Sequence, residues 1–196
     1  MAIIEILVRL IEVSDPDTHG HCGRVKDIAM AIARDLNLPE ADIVNLELAG
    51  LLHDIGKIGI PPEILNKGGK LTEEEYEIVK KHPEIASNIL GDANFLEDSR
   101  KIIYQHHERV DGKGYPQQLE SEEIELAAKV LAVADAYDAM TSRRPYREKP
   151  LTKKEAIEEL KKCKGSQFDT KVVKAFIDLL NRREELFIKD SGEAMG

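Results

Sequence analysis

The spacing of apolar residues constrains the fold of this chain more than any other feature. Apolar residues recur at intervals of three and four along almost the whole sequence, and strict alternation of apolar and polar residues is nearly absent. Intervals of three and four place side chains on one face of an α-helix, whereas alternation is typical of half-buried strands. The pattern therefore predicts an all-α fold. Helices are expected near residues 3–13, 21–36, 40–55, 72–90, 97–109, 124–141, 153–163 and 169–186.

Two long segments between the predicted helices are rich in glycine and proline, namely "GKIGIPPEILNKGGK" at 56–70 and "VDGKGYPQQLESEE" at 110–123. This composition is typical of loops. Thr72 and Thr152 are each followed three residues later by glutamate, a capping-box pattern that predicts a helix start. The 196 residues contain no repeat, low-complexity tract or linker, and their number suits one domain with a buried core.

Composition and charge narrow the expected partners and location. Charged residues make up 33% of the chain and apolar residues 42%, which is typical of a globular protein. A formal net charge of -9 argues against broad attraction to a nucleic-acid polymer or an anionic membrane. The first apolar stretch is interrupted by Glu5 and Arg9 and is too short to span a bilayer, so no membrane insertion is expected. The two cysteines suggest no disulfide framework, and we expect a cytoplasmic protein.

Histidines and aspartates occur at the ends of apolar segments or inside them. His53 and Asp54 end "LELAGLLHDIG", His106 and His107 end "RKIIYQHHE", and Asp135 lies within "AAKVLAVADAYDAM". A buried carboxylate is costly unless a metal ion or another cation compensates it. Each feature alone could be structural: a hydrogen bond at a helix end, a surface histidine pair, or an aspartate paired with a buried arginine. Taken together they favour a site for Fe, Mn, Zn or Ni, because imidazole and carboxylate ligands suit these ions better than Ca or Mg.

Four motifs in a fixed order carry a family resemblance: "HDIGKIGIP", "KKHPE", "HHERVDGKGYP" and "VADAYDAMTSRRPYR". Over about residues 18–176 the chain resembles the HD-GYP family of HD-superfamily phosphohydrolases. The resemblance implies a single all-helical domain with a metal site in its helix bundle. It also implies two or three metal ions and hydrolysis of cyclic di-GMP to linear pGpG and, in some members, to GMP. The implied division is an HD-GYP domain over 1–196, with a core at about 18–186, a leading helix at 1–17 and a tail at 187–196.

The resemblance assigns metal-binding roles to individual residues. The implied ligands are His21, His53, Asp54, His82, His106, His107 and Asp135, with iron or manganese as the expected metal. Asp54 is expected to bridge two ions, with Asp135 on the first ion and His82 on the second. Proline after His82 disfavours helical geometry at that histidine, so the predicted helix is expected to break there. Asp17, four residues before His21, stands where members with three metals have glutamate, and it could bind a third ion, act through water, or cap the helix.

Other matching positions imply contacts with the substrate. Lys57 is expected to contact a phosphate or the nucleophile, and Arg144 and Arg147 are expected to hold phosphates. Tyr115 could lie against guanine or hydrogen-bond a phosphate, although an ordinary turn with a packed tyrosine is the alternative. Asp138 is predicted as a substrate-binding residue, and because it shares a helix face with Asp135 it could also orient a ligand or a water on the metal.

The "DGKGYP" loop departs from the usual family pattern at positions that are not implied ligands. Gln118 and Ser121 stand where glycine is common, Val110 replaces an aromatic residue, and Glu125 replaces a proline. These departures concern the shape of the loop rather than the metal chemistry.

The resulting hypothesis is a metal-dependent cyclic dinucleotide phosphodiesterase in which water is the nucleophile and Asp54 and Lys57 are the catalytic residues. One alternative is an HD phosphohydrolase that acts on another cyclic or linear nucleotide. Another is a catalytically silent receptor or interaction domain that binds cyclic di-GMP, and a purely structural helical protein is a third. A homodimer and an upstream sensor or regulatory domain are both compatible with the sequence.

Overall fold

The structure is a computed structural model that describes residues 2–15, 20–142 and 149–182. Within these ranges the chain forms α-helices and short 3-10 helices, with isolated bridges but no strand, so the prediction of an all-α fold is confirmed. The α-helices are α1 (Ala2–Ser14), α2 (His21–Asp35), α3 (Glu40–Leu52), α4 (Pro62–Leu65), α5 (Glu73–Val79), α6 (His82–Ile89), α7 (Glu97–Gln105), α8 (Leu126–Thr141), α9 (Lys153–Cys163) and α10 (Thr170–Arg182).

The predicted helix over 72–90 is two helices, α5 and α6, separated at Lys80 and Lys81. The break expected at His82 is present directly before it, but the prediction of non-helical geometry at His82 itself was wrong, because His82 is the first residue of α6. Pro83 lies in the first turn, where its missing N–H would have had no partner within the helix in any case. Both predicted capping boxes, at Thr72 and Thr152, are present.

The core forms where α2 packs against α3 and α8. Helix α8 is buried on most sides, which agrees with its nearly continuous apolar sequence. Its buried side chains include Val130, Leu131, Val133 and Ala134. The carboxylates of this helix lie next to that core, with Asp138 buried and 19% of the Asp135 side chain exposed.

A close approach of backbone segments brings the His53–Asp54 pair next to α6. The pair is followed by a 3-10 helix, Ile55–Gly59, that packs on α6. A Cβ atom at Gly56 would lie 1.9 Å from the His82 carbonyl oxygen and 2.6 Å from the Ala86 nitrogen. Only glycine therefore allows this approach. Among the described residues, the structure contains no helix that is both long and apolar enough to cross a membrane.

Candidate metal centre

The seven implied metal ligands come from distant parts of the chain and converge inside the bundle. Two are the first residues of helices, two directly follow the last residue of a helix, two come one residue further on, and Asp135 lies within α8. His21 begins α2, His82 begins α6, and His53 follows the last residue of α3. The ends of these helices meet inside the bundle, and their side chains come together there in two groups.

The first group consists of His21, His53 and Asp54, whose ligand atoms all lie within 4.8 Å of one another. Asp135 adds a second carboxylate to this group. Its Oδ1 lies 3.2 Å from His21 Nε2 and 3.9 Å from His53 Nε2. The group therefore offers two imidazoles and two carboxylates to one cation.

The second group consists of His82, His106 and His107, which also meet within 4.8 Å. Asp54 lies between the two groups. Its Oδ2 is 3.5 Å from His53 Nε2, and its Oδ1 is 3.8 Å from His82 Nε2. One carboxylate thus directs an oxygen to each group, which is the arrangement expected for a bridging ligand.

Three of the imidazoles are oriented by hydrogen bonds to the main chain. Their Nδ1 atoms donate to carbonyl oxygens three residues earlier: His53 to Gly50 (3.0 Å), His82 to Val79 (2.9 Å) and His106 to Ile103 (2.6 Å). Because Nδ1 carries the proton in each ring, Nε2 presents its lone pair to the centre. This tautomer is the one that binds metals through Nε2.

The Nε2 atoms have no adequate partner within the described part of the protein. His53 Nε2 is buried without a hydrogen-bond partner there. The Nε2 atoms of His82 and His106 lie 3.4 Å apart, so two lone pairs face each other. Buried polar atoms are normally satisfied, and divalent cations between these nitrogens would satisfy all three. The residues therefore fit a metal centre.

Burial keeps most of these imidazoles neutral, as metal ligands must be. It lowers the pKa of His82 to about 3 and, against the opposing charges of Asp135 and Asp54, that of His107 to about 4. The pKa of His106 also falls well below its ordinary value because of burial and the neighbouring histidines.

The carboxylates of the site are ionised. Burial alone would raise the pKa of Asp54, but the Lys57 ammonium and the nearby imidazoles outweigh it and hold the pKa well below its usual range. The pKa of Asp135 is likewise lowered, because the hydrogen bond and charge of His21 outweigh burial. Burial lowers the pKa of His21, but its hydrogen bonds to the carboxylates of Asp135 and Asp138 outweigh this and raise it to about 9. These acids hold negative charge that a cation would compensate.

Asp138 is engaged with protein groups on both of its oxygens. His21 Nδ1 donates to Oδ2 at 2.6 Å, and Arg24 Nε donates to Oδ1 at 2.6 Å. Only 3% of the residue is exposed. This geometry favours the orientation of His21 over direct contact with the substrate, which is the other role considered for Asp138. Sequence reasoning missed Arg24, although its spacing of three residues from His21 places both on one helix face.

Lys57 lies against the bridging carboxylate. Its Nζ donates to Asp54 Oδ2 at 2.8 Å and to Asp15 Oδ2 at 3.4 Å. Burial would lower the pKa of Lys57, but these two carboxylates raise it above its ordinary value. Asp15, which is buried, was also missed, because the four-residue spacing from His21 points to Asp17 and not to Asp15.

Tyr115 supports the second group from the loop at 110–123. Its ring stacks on His107 with centroids 4.7 Å apart and planes at 29°, and its backbone nitrogen donates to the His107 carbonyl oxygen at 3.2 Å. A cavity of about 410 Å³ opens beside these rings. Its lining includes Tyr76, His106, His107, Arg109, Tyr115 and Asp135. The cavity therefore leads from the metal ligands to the protein surface.

Three residues with expected roles lie outside the described ranges, namely Asp17, Arg144 and Arg147. Their expected roles stay predictions.

Comparison with known proteins agrees with this geometry. Residues 5–172 match the HD domain family. A cyclic di-GMP phosphodiesterase of Thermotoga maritima is 41% identical over 194 residues, which cover 97% of this chain and 52% of that protein. The cyclic di-GMP phosphodiesterase response regulator RpfG of Xanthomonas campestris is 42% identical over 173 residues, which cover 87% of this chain and 46% of that protein.

A solved structure shows the same fold. The cyclic GMP-AMP specific phosphodiesterase of Vibrio cholerae superposes with a TM-score of 0.70 at 21% identity, covering 92% of this chain and 49% of that one. The chain thus spans about half the length of the curated relatives it matches. From the match over residues 5–172, the helical fold and the identity of 41–42% to these relatives, the chain belongs to the HD domain family, in its HD-GYP branch.

Proposed function

We propose that the chain is a metal-dependent phosphodiesterase that hydrolyses cyclic di-GMP to linear pGpG and, if a third ion is held, to GMP. The observation that carries the proposal is the position of Asp54, with one oxygen toward each histidine group. The names of the relatives at 41% and 42% identity support this choice of substrate.

The donor set indicates which residues would hold each ion. His21, His53, Asp54 and Asp135 would hold one, and His82, His106, His107 and Asp54 would hold the other. Mixed imidazole and carboxylate ligands favour iron or manganese over magnesium or calcium. Bound divalent cations would supply Lewis acidity and lower the pKa of water to about 7.

The protein groups around this centre would bind and stabilise the reacting phosphodiester. Lys57 lies beside the bridging carboxylate, so its ammonium can face negative charge that develops on the phosphoryl oxygens. The Asp15 carboxylate accepts a second hydrogen bond from the same ammonium. No serine, threonine or cysteine is required as a nucleophile, because water can take that part.

The cavity gives the substrate a route to the centre. It is lined by His106, His107 and Asp135, and also by Arg109 and by Tyr76, which is exposed at the surface. A volume of about 410 Å³ lies in the range typical of small-molecule sites. An anionic nucleotide would enter despite the net charge of -9, because bound cations reverse the local charge.

The test is product analysis with anaerobically purified, metal-quantified protein given cyclic di-GMP, cyclic GMP-AMP and pGpG. We expect pGpG from cyclic di-GMP, and we expect Asp54→Asn to lower kcat at least about 100-fold, since even outer-shell changes at metal sites cost 10–100-fold. Asp98→Asn is the matched control, because Asp98 is exposed and pairs only with Lys101 among the described contacts.

Two results would contradict the proposal. Metal-replete wild-type protein that binds cyclic di-GMP but leaves it intact would indicate a receptor. A folded Asp54→Asn protein with near-normal turnover would remove the bridging role. Faster turnover of cyclic GMP-AMP than of cyclic di-GMP would replace the proposed substrate but keep the reaction.

A further inference from the structure

Glu108 is a buried acid that neither metal group uses. It directly follows the ligand pair His106–His107, and only 4% of it is exposed. A buried carboxylate needs strong compensation. The compensation comes from the backbone of the loop that follows: Gln117 N donates to Oε1 at 2.6 Å, and Leu119 N donates to Oε2 at 3.0 Å.

The residue between these two amides has an unusual backbone. Gln118 has φ 57°, in the left-handed region that disfavours residues with a Cβ atom. A left-handed residue within a turn can direct the flanking N–H groups toward one anion. Glu108 supplies that anion, so its carboxylate compensates for the conformation of Gln118. This explains how glutamine is accommodated at a position where glycine is common in the family that the chain resembles.

The same loop also contacts His107, one of the candidate metal ligands. Gly114 packs on the backbone of Glu108, where a Cβ atom would lie 2.5 Å from the Glu108 Cα atom. Next to it, Tyr115 stacks on His107 and donates its N–H to the His107 carbonyl oxygen. Glu108 and Tyr115 both line the cavity beside the metal ligands. A shift of the loop would therefore change the cavity wall and the support of His107 together.

We infer that Glu108 is a positioning residue: its carboxylate clamps the loop at residues 117–119 and fixes Tyr115 against His107. The consequence for turnover rests on the proposed function, whereas the clamp itself does not. Glu108 touches neither metal group, so it acts through the loop and through His107.

Limited proteolysis reports on the clamp directly, because the exposed Lys113 lies within the clamped loop. In Glu108→Ala, loss of two buried charge-assisted hydrogen bonds should raise the rate of tryptic cleavage after Lys113 by about tenfold or more. Glu108→Gln retains one acceptor oxygen and should show a smaller increase. Glu123→Ala is the matched control, because the exposed Glu123 also accepts a loop N–H, that of Glu120 at 2.9 Å.

The conformation of Gln118 supplies a rescue experiment. In the Glu108→Gln background, Gln118→Gly should restore part of the protection, because glycine adopts positive φ without steric cost. Gln118→Ala removes the same side chain but keeps Cβ, so it should not restore protection. Equal effects of glycine and alanine would overturn the link between Glu108 and this backbone conformation.

Activity gives the readout that a purely structural role would not produce. We expect Glu108→Gln to raise KM for cyclic di-GMP more than it lowers kcat, with the metal content of the wild type. Unchanged cleavage after Lys113 in folded Glu108→Ala and Glu108→Gln would overturn the clamp, whatever the turnover. Absence of turnover in wild-type protein would instead count against the proposed function, and the proteolysis would still decide the clamp. If Glu108→Ala does not fold, Glu108→Gln and the Gln118 pair carry the test.

Discussion

For single residues, the chemistry of the centre depends on which nitrogen of each imidazole faces the space between the two histidine groups. The Nδ1 atoms of His53, His82 and His106 are committed to main-chain carbonyl oxygens, and that of His21 is committed to Asp138. All four rings therefore present Nε2 to the interior. The same residue types without these partners could rotate or protonate, so the partners matter as much as the ligands.

Asp138 gives a prediction at this scale. Asp138→Asn should weaken metal binding by about 10–100-fold, because it removes the carboxylate that orients His21 but leaves every ligand in place. Competition with a chelator of known affinity measures the change, with Asp98→Asn as the control. Unchanged metal affinity together with a raised KM would instead favour direct contact between Asp138 and the substrate.

Among the elements, the helices were easier to predict than the breaks between them. The periodicity of α2, α8, α9 and α10 places each of them within a few residues of its observed range, because burial on one face leaves a regular pattern. The apolar pattern alone extends the predicted helix over 72–90 across the break at Lys80–Lys81, whereas Pro83 predicts a break within two residues of the observed one. Periodicity records which face of a helix is buried and does not record where the backbone bends.

The candidate site was predictable in its residues but not in its contacts. The family resemblance implies the seven candidate ligands, and the structure brings them together. Arg24, Asp15 and Glu108 were missed because their importance depends on contacts across the fold, such as that between Arg24 and Asp138. These contacts join residues far apart in sequence, and local spacing does not reveal them.

Gly56 gives the prediction for the packing of elements. Gly56→Ala should lower the free energy of unfolding by about 1–3 kcal/mol or more, because its methyl group would overlap the His82 carbonyl oxygen. It should also lower metal content, since it displaces α6 and its ligand. Gly68→Ala is the control, because a Cβ atom there meets no atom within 4 Å. Equal stabilities of the two variants in denaturant titration would contradict the close approach.

For the whole molecule, the net charge of -9 and the proposed anionic substrate are opposed unless cations lie at the centre. The ligands extend from His21 to Asp135, so bound ions would connect distant parts of the bundle.

The most direct measurement is anomalous diffraction from crystals of anaerobically prepared protein, collected on both sides of the iron and manganese absorption edges. We predict one peak bounded by His21, His53, Asp54 and Asp135, and a second bounded by His82, His106, His107 and Asp54. Absence of anomalous density between these side chains in metal-replete crystals, with the imidazoles hydrogen-bonded to one another or to water instead, would contradict the account.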